Sequence, residues 1–79
     1  MDPAIAFGQV LRMLRKEAGL SQEQLSFEAS IERNFVSLIE RGVNQPTIRV
    51  IFKLANALGI SPSKMLSLVE VKIQNTKQL

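Results

Sequence analysis

The chain has 79 residues, 46% of them hydrophobic, a formal net charge of +3 and an isoelectric point near 9.8. This length indicates one domain, 1–79, with a core near the lower limit of self-sufficiency. The chain contains no cysteine and no histidine, which excludes disulfide frameworks, thiolate metal sites and the commonest general base. The mildly basic charge suits a polyanionic partner, although charge alone is weak evidence for one.

Catalysis and membrane insertion are not expected from this composition. The sequence has no glycine-rich phosphate loop and no cluster of metal ligands, so we expect no enzyme, no cofactor and no metal. It has no apolar run of about 20 residues and no signal-peptide pattern, which favours a cytoplasmic protein with no membrane partner. Aromatic residues are few, and the apolar residues recur at helical spacing, which favours an all-α fold.

The first helix is predicted from Pro3 to Ala18. Asp2 provides the N-cap, Pro3 takes the first helical position, and Gly19 ends the helix. Its core stripe follows the 3.6-residue period: Phe7, Leu11, Leu14 and Ala18. Val10 and Met13 lie off this stripe, and we expect them to be partly exposed.

The stretch 21–42 is predicted to form two short helices joined by a tight turn. Ser21 and Gln24 have the spacing of a capping box at the start of the first of them. The second runs over about 33–41, between a turn at 30–31 and Gly42. Its first turns carry polar residues with nothing obvious to bury against: Glu32, Arg33, Asn34 and Ser37. A guanidinium, an amide and a hydroxyl at a helix N-terminus can read base edges.

Two more helices are predicted after the loop 43–46. Thr47 caps a helix over 48–58, and Ser61 with Pro62 begins another. The buried stripe of the helix 48–58 is expected to contain Ile48, Ile51, Leu54, Ala55 and Leu58. Apolar spacing beyond Pro62 fits a helix or an alternating strand, and we favour a helix over about 62–71 followed by a frayed polar tail, 74–79.

Five segments of the chain carry spaced motifs in a fixed order: Leu11-Arg12-x-Leu14-Arg15, Gly19-Leu20-Ser21-Gln22-Glu23-x-Leu25, Val36-Ser37-x-Ile39-Glu40-Arg41-Gly42, Pro46-Thr47 and Leu54-Ala55-x-Ala57-Leu58-Gly59-Ile60-Ser61-Pro62. In these residues the sequence resembles the Cro/cI-type (XRE) helix-turn-helix DNA-binding domains, over roughly residues 7–66. Within the family the chain is similar to the controller proteins of restriction–modification systems, which also have an acidic-Arg pair like Glu32-Arg33. The resemblance implies a compact, five-helix, lambda-repressor-like fold.

The resemblance also implies a function. Such a domain binds double-stranded DNA at a palindromic operator as a homodimer, and it regulates its own operon and a linked endonuclease gene. A phage-type repressor or an antitoxin-like autoregulator is the alternative within the class. A helical protein–protein interaction module that has lost DNA binding is the alternative outside it.

Candidate DNA contacts combine residue chemistry with the resemblance. Arg33 can pair with guanine O6 and N7, and Asn34 with adenine or a phosphate. Glu32 accepts from cytosine N4 or orients Arg33, whereas Ser37 contacts DNA or faces solvent. Phosphate contacts are expected from a helix N-terminus and from the loop: Gln22, Asn44 and Gln45.

Two positions depart from the family pattern. Val10 and Leu38 stand where other members often have polar residues. Leu38 is expected either to touch a thymine methyl group or to pack locally. The resemblance further pairs Arg15 with Glu40, and we favour this structural ion pair over a phosphate contact by Arg15.

Two protein-contact surfaces are expected. The fifth helix has more apolar residues than the end of a small domain needs, which predicts a dimer interface formed by Met65, Leu66, Leu68 and Val69. The family's activators present acidic residues near Glu23 to RNA polymerase, which makes Glu23 a candidate activation surface. Its alternative role is to stabilise the N-terminus of its own helix.

Overall fold

The computed structural model describes residues 1–77 and contains five helices in that part of the chain. They are α1 (Pro3–Glu17), α2 (Gln22–Ala29), α3 (Arg33–Glu40), α4 (Ile48–Ala57) and α5 (Pro62–Lys77). This arrangement confirms the all-α, five-helix prediction. Helix α1 packs against α3 and α5, α2 packs against α3 and α4, and α4 packs against α5.

Helices α1, α2 and α4 begin directly after the predicted N-cap residues. Asp2, Ser21 and Thr47 each accept a hydrogen bond from a backbone N–H of the helix that follows. Ser21 and Gln24 form both bonds of the capping box. Each such bond replaces a backbone partner that a helix end lacks, which is why short helices begin where these residues occur.

One apolar core connects all five helices. It is made of Ala6, Phe7, Val10, Leu11, Leu25, Ala29, Val36, Ile39, Leu54, Ala55, Met65 and Val69. At Gly8, α1 crosses α3 so closely that an added Cβ would collide with the carbonyl oxygen of Ile39 and lie 2.7 Å from that of Glu40. Glycine therefore sets the distance between α1 and α3.

Burial corrects the sequence prediction at three positions. Val10 is only 3% exposed because α5 covers the side of α1 that lies beyond the predicted stripe. Ala18 is exposed because it is the C-cap of α1 rather than part of its packed face. Ile48 is 75% exposed because it lies in the first turn of α4, where the neighbouring helices do not reach.

Helix α5 is longer than predicted. It continues past Val71 to Lys77, so residues 74–77 are helical rather than a frayed tail, and Gln78 and Leu79 lie outside the described residues. No glycine or proline follows Pro62 to end the helix. Half-buried Ile73 packs against the core, and the Thr76 hydroxyl donates to the Lys72 carbonyl at 3.0 Å.

Candidate nucleic-acid interface

Helices α2 and α3 are joined by a short turn that is closed by backbone hydrogen bonds. Ser30 ends α2 in the left-handed conformation, with φ 56°, and its N–H donates to the Phe27 carbonyl at 3.2 Å. The Ile31 N–H donates to the Ser26 carbonyl at 3.0 Å. These bonds satisfy the last carbonyls of α2 and direct the chain into α3.

Helix α3 has one buried side and one open side. Val36 and Ile39 are fully buried. At about 100° per residue, the direction opposite to them is occupied by Asn34, Leu38 and Arg41. Asn34 and Arg41 are exposed, and Leu38 is half-buried. The open side of α3 therefore combines an amide, an apolar group and a cation.

The four candidate base-reading residues lie at the open N-terminal end of α3. Glu32 is its N-cap residue, although its side chain makes no capping hydrogen bond. Glu32, Arg33 and Asn34 are exposed, and Ser37 is half-buried one turn later. Arg33 and Asn34 are consecutive residues and point about 100° apart around the helix. The four candidate residues are therefore spread around the first turns of α3 and do not lie along one face.

The opposite end of α3 is held by a buried ion pair. Arg15 Nε donates to Glu40 Oε2 at 2.6 Å, and Arg15 Nη2 donates to Glu40 Oε1 at 3.0 Å. Arg15 Nη1 also donates to the Leu20 carbonyl at 2.9 Å, beside the start of α2. The structure thus contains the expected Arg15–Glu40 pair, and it uses the guanidinium inside the protein rather than on DNA.

This pair affects the pKa of its cation. The hydrogen bond with Glu40 raises the pKa of the Arg15 guanidinium, and burial opposes this effect. Because a raised pKa stabilises the folded chain below that pKa, this contribution is present throughout the neutral range. It is lost only when the pH rises through the strongly alkaline pKa of the folded state.

Gln22 makes a bond that its sequence position does not reveal. Its Nε2 donates to Glu40 Oε1 at 3.0 Å, so this predicted phosphate contact also belongs to the buried network. An amide nitrogen has two hydrogens, and the second can still donate to a phosphate. Gln22 therefore connects the start of α2 with the end of α3.

The two loop candidates have different surroundings. Asn44 is half-buried, and its N–H donates to the Leu38 carbonyl at 3.3 Å. Gln45 is exposed and lies at a depression that also contains Asp2, Pro46 and Leu66. Of these two candidates, Asn44 donates a backbone hydrogen bond to α3.

Arg41 was not among the candidates derived from sequence. It is exposed and follows Asn34 and Leu38 at the i, i+4, i+7 spacing of one helix face. This spacing was available in the sequence and could have identified it. A cation at this position can contact a backbone phosphate.

The predicted dimer interface is not one surface. Met65 is fully buried and Val69 is 7% exposed, so both are core residues of their own chain, which corrects their assignment to a dimer contact. Leu66 lies beside Ile51 and Pro46, whereas Leu68 lies beside Val10 and Met13 in a separate depression. Residues two apart on a helix point in widely different directions, so Leu66 and Leu68 lie on different faces of α5.

Helix α4 provides exposed apolar surface that was not expected. Ile48 and Phe52 are 75% and 57% exposed and lie one turn apart. Half-buried Ile51 connects them with the depression that contains Leu66. We call Ile48, Ile51, Phe52 and Leu66 the α4–α5 apolar face.

The candidate activation residue lies on the outer side of α2. Glu23 is exposed and lines a shallow surface site with Gln24, Phe27 and Glu28. Phe27 is 81% exposed, which makes it the most exposed of the large hydrophobic residues described. This side of α2 therefore presents carboxylates around an aromatic ring.

The described fold and site are those of a helix-turn-helix DNA-binding domain, and comparisons with known proteins agree. A family model described as helix-turn-helix matches residues 11–65. Control protein C.BamHI of Bacillus amyloliquefaciens is 35% identical over 68 residues, which cover 85% of this chain and 84% of that protein. Control protein C.MunI of a Mycoplasma species is 36% identical over 70 residues, covering 87% and 95%.

Solved structures give the same result. The restriction-modification controller protein C.AhdI from Aeromonas hydrophila is 44% identical, with a TM-score of 0.77, and the match covers 78% of this chain and 94% of that one. The chain belongs to the XRE-type helix-turn-helix family of DNA-binding transcription regulators, in which it is of the restriction–modification controller type. Members of this family are regulators rather than enzymes. In the described part of the chain, no helix is long and apolar enough to cross a membrane.

Proposed function

We propose that this protein binds a palindromic operator as a homodimer and regulates its own operon and a linked endonuclease gene. The observation that carries the proposal is the contrast within α3. Its C-terminal end is fixed by the buried Arg15–Glu40 pair, while Arg33 and Asn34 are exposed at its N-terminal end. A rigidly held helix with free polar side chains is suited to enter the major groove.

The candidate contacts have separate tasks in this proposal. Arg33, Asn34, Glu32 and Ser37 read base edges, because their groups match the donors and acceptors of the major groove. Gln22, Asn44 and Gln45 contact phosphates, which position the domain without reading sequence. Arg41 adds a further phosphate contact from the far end of the open side of α3.

The dimer contact is assigned to the α4–α5 apolar face. Its two most exposed members, Ile48 and Phe52, are 75% and 57% exposed within one chain. A second copy would cover them isologously, and we expect the two copies of α3 to lie about 34 Å apart on one face of the DNA.

Phe52→Asp tests this interface. A buried charge would oppose association, so we expect this variant to sediment as a monomer at micromolar concentrations where the wild-type chain is a dimer. Val71→Asp is the matched control, because Val71 is 47% exposed on the other apolar surface of α5. Dissociation by Val71→Asp alone would place the interface between α1 and α5 instead.

We further propose that the outer side of α2 contacts RNA polymerase. Glu23 and Glu28 supply negative charge, and Phe27 supplies an apolar group that its own chain leaves exposed. An aromatic ring surrounded by carboxylates suits a basic partner surface with a small apolar pocket. The same carboxylates are unfavourable near phosphates, which directs this side of α2 away from DNA.

Footprinting on the DNA upstream of the protein's own gene tests the proposed function. We expect two protected half-sites with their centres about one helical turn apart. Protection there and at the promoter of an adjacent endonuclease gene would support the controller role. Protection only at phage or toxin–antitoxin promoters would favour the other regulators of the class, and no protected fragment would remove the proposal.

A further inference from the structure

We propose that Leu38 reads the methyl group of a thymine and so determines part of the operator sequence. This inference rests on the proposed DNA binding and adds a contact that the polar residues of α3 cannot make. Leu38 lies on the open side of α3, one turn after Asn34 and next to Ser37. It therefore belongs to the surface that would face the bases.

The surroundings of Leu38 form a shallow apolar depression. Half-buried Ile31, Phe35 and Leu38 line it, with Glu32 and Asn34 at its edge. The core of the domain is complete without Leu38, because the inward direction of α3 is taken by Val36, Ile39 and Glu40. Local packing thus covers only part of the Leu38 side chain and leaves the rest available for a ligand.

Thymine is the base whose chemistry fits this depression. In the major groove, it is the base that presents a methyl group, and apolar side chains recognise it by contact. Asn34 at the edge can pair with an adenine through its amide. An apolar group and an amide one helical turn apart therefore suit neighbouring A·T pairs.

Replacement of thymine by uracil tests the contact, since it removes only the methyl group and keeps base pairing. The probe is the tightest-binding duplex selected by the wild-type protein from a randomised pool. Each thymine in it is replaced singly, and binding is measured at fixed salt. We expect one replacement per half-site to weaken wild-type binding about three- to fourfold, the value for one buried methyl group.

Variants connect this effect to Leu38. In Leu38→Ala, the same replacement should change binding by less than about twofold, whereas Leu38→Met should keep most of the effect because it keeps the apolar volume. Val71→Ala is the control, since Val71 is 47% exposed on α5, outside the open side of α3 and outside the α4–α5 apolar face, so its loss should leave the uracil effect unchanged. Melting curves establish that each variant is folded.

Two results would overturn the assignment. One is wild-type binding that no uracil replacement weakens, and the other is a uracil effect that persists unchanged in Leu38→Ala. Failure to select any duplex above random DNA would instead remove the proposed function, and the thymine contact with it. The test therefore distinguishes the failure of this contact from the failure of DNA binding.

Discussion

The two ends of α3 are built for opposite purposes. At its C-terminal end, Glu40 is paired with Arg15 and Gln22, and Gly8 of α1 lies against the last carbonyls. At its N-terminal end, the N-cap residue Glu32 makes no side-chain capping bond, and Arg33 faces solvent. The comparison shows that α3 is fixed in the domain through its C-terminal end, while the polar side chains at its N-terminal end stay exposed and available for a ligand.

Loss of Arg15 should have the largest effect. Arg15→Ala leaves the Glu40 carboxylate, only 3% exposed, without its cation, and we expect a loss of about 3–5 kcal/mol in the free energy of unfolding. Urea denaturation measures this value. The double variant Arg15→Met/Glu40→Leu should recover most of the loss, because it leaves no charge buried. An equally unstable double variant would mean that the pair's packing, rather than its charges, holds α3.

Gly8→Ala should disturb the same end of α3 through steric overlap. The new methyl group collides with backbone carbonyls, which cannot move aside as a flexible side chain can, so we expect a loss of about 3 kcal/mol. Thermal and urea unfolding check this. In Gly19→Ala nothing lies within 4 Å of the added Cβ, and only the φ of +73° is unfavourable, at about 1–2 kcal/mol. Equal losses in both variants would argue against the close crossing.

Arg33→Ala should affect binding and leave folding almost unchanged. A cation in the first turn of a helix opposes the helix dipole, so its removal should stabilise the chain slightly, by about 0.3–1 kcal/mol. Operator binding should fall about 30-fold or more, because each subunit of the proposed homodimer loses a bidentate base contact of about 1–3 kcal/mol. The ratio between operator affinity and random-DNA affinity should also decrease. Competition binding at fixed salt measures both affinities.

The matched phosphate variant is Gln45→Ala rather than Gln22→Ala. Gln22 also bonds Glu40, so its removal should reduce stability by about 1 kcal/mol and confuse the comparison. Gln45→Ala should weaken binding to the operator and binding to random DNA by similar factors. A similar result for Arg33→Ala would make Arg33 a phosphate contact and move base reading to Asn34, Ser37 or Glu32.

Substitutions on the outer side of α2 should have the smallest effect on the isolated protein. Glu23→Gln and Phe27→Ala change exposed side chains, so stability should stay within about 0.5 kcal/mol and operator affinity should stay nearly constant. Transcription from an activated promoter should nevertheless fall, as an in vitro transcription assay would show. Unchanged transcription in both variants would leave Glu23 with only its effect on the helix dipole.

The sequence predicted the starts of the helices well because these depend on local chemistry. Ser21 with Gln24, and Thr47, make hydrogen bonds to groups only three residues away, so their spacing alone is sufficient to predict where a helix begins. The exposure of Arg33 and Asn34 was predictable for a similar reason, since both are polar residues in the first turn of a helix whose inward positions are taken by Val36 and Ile39. The Arg15–Glu40 pair was expected only from the family resemblance.

Features that depend on distant parts of the chain were not predictable in this way. The bond from Gln22 to Glu40 joins residues 18 apart and requires α2 and α3 to be placed first. The apolar character of Met65 can be seen in the sequence, which is why it was predicted to be a dimer contact. The packing that buries it within its own chain cannot be seen there. Ile48 was predicted to be buried because it fits the apolar spacing of α4. The neighbouring helices do not cover the first turn of α4, so Ile48 is exposed.

The packing of α1 against α5 has a consequence for biosynthesis. Phe7 lies beside Val69, and Val10 lies beside Leu68, so α1 is covered by a helix that is synthesised well after it. Synthesis of the 16 residues of α5 takes roughly 1–3 s at about 5–20 residues per second. Until then, the part of α1 that α5 covers has no partner, although the nascent chain already contains every part of its helix-turn-helix.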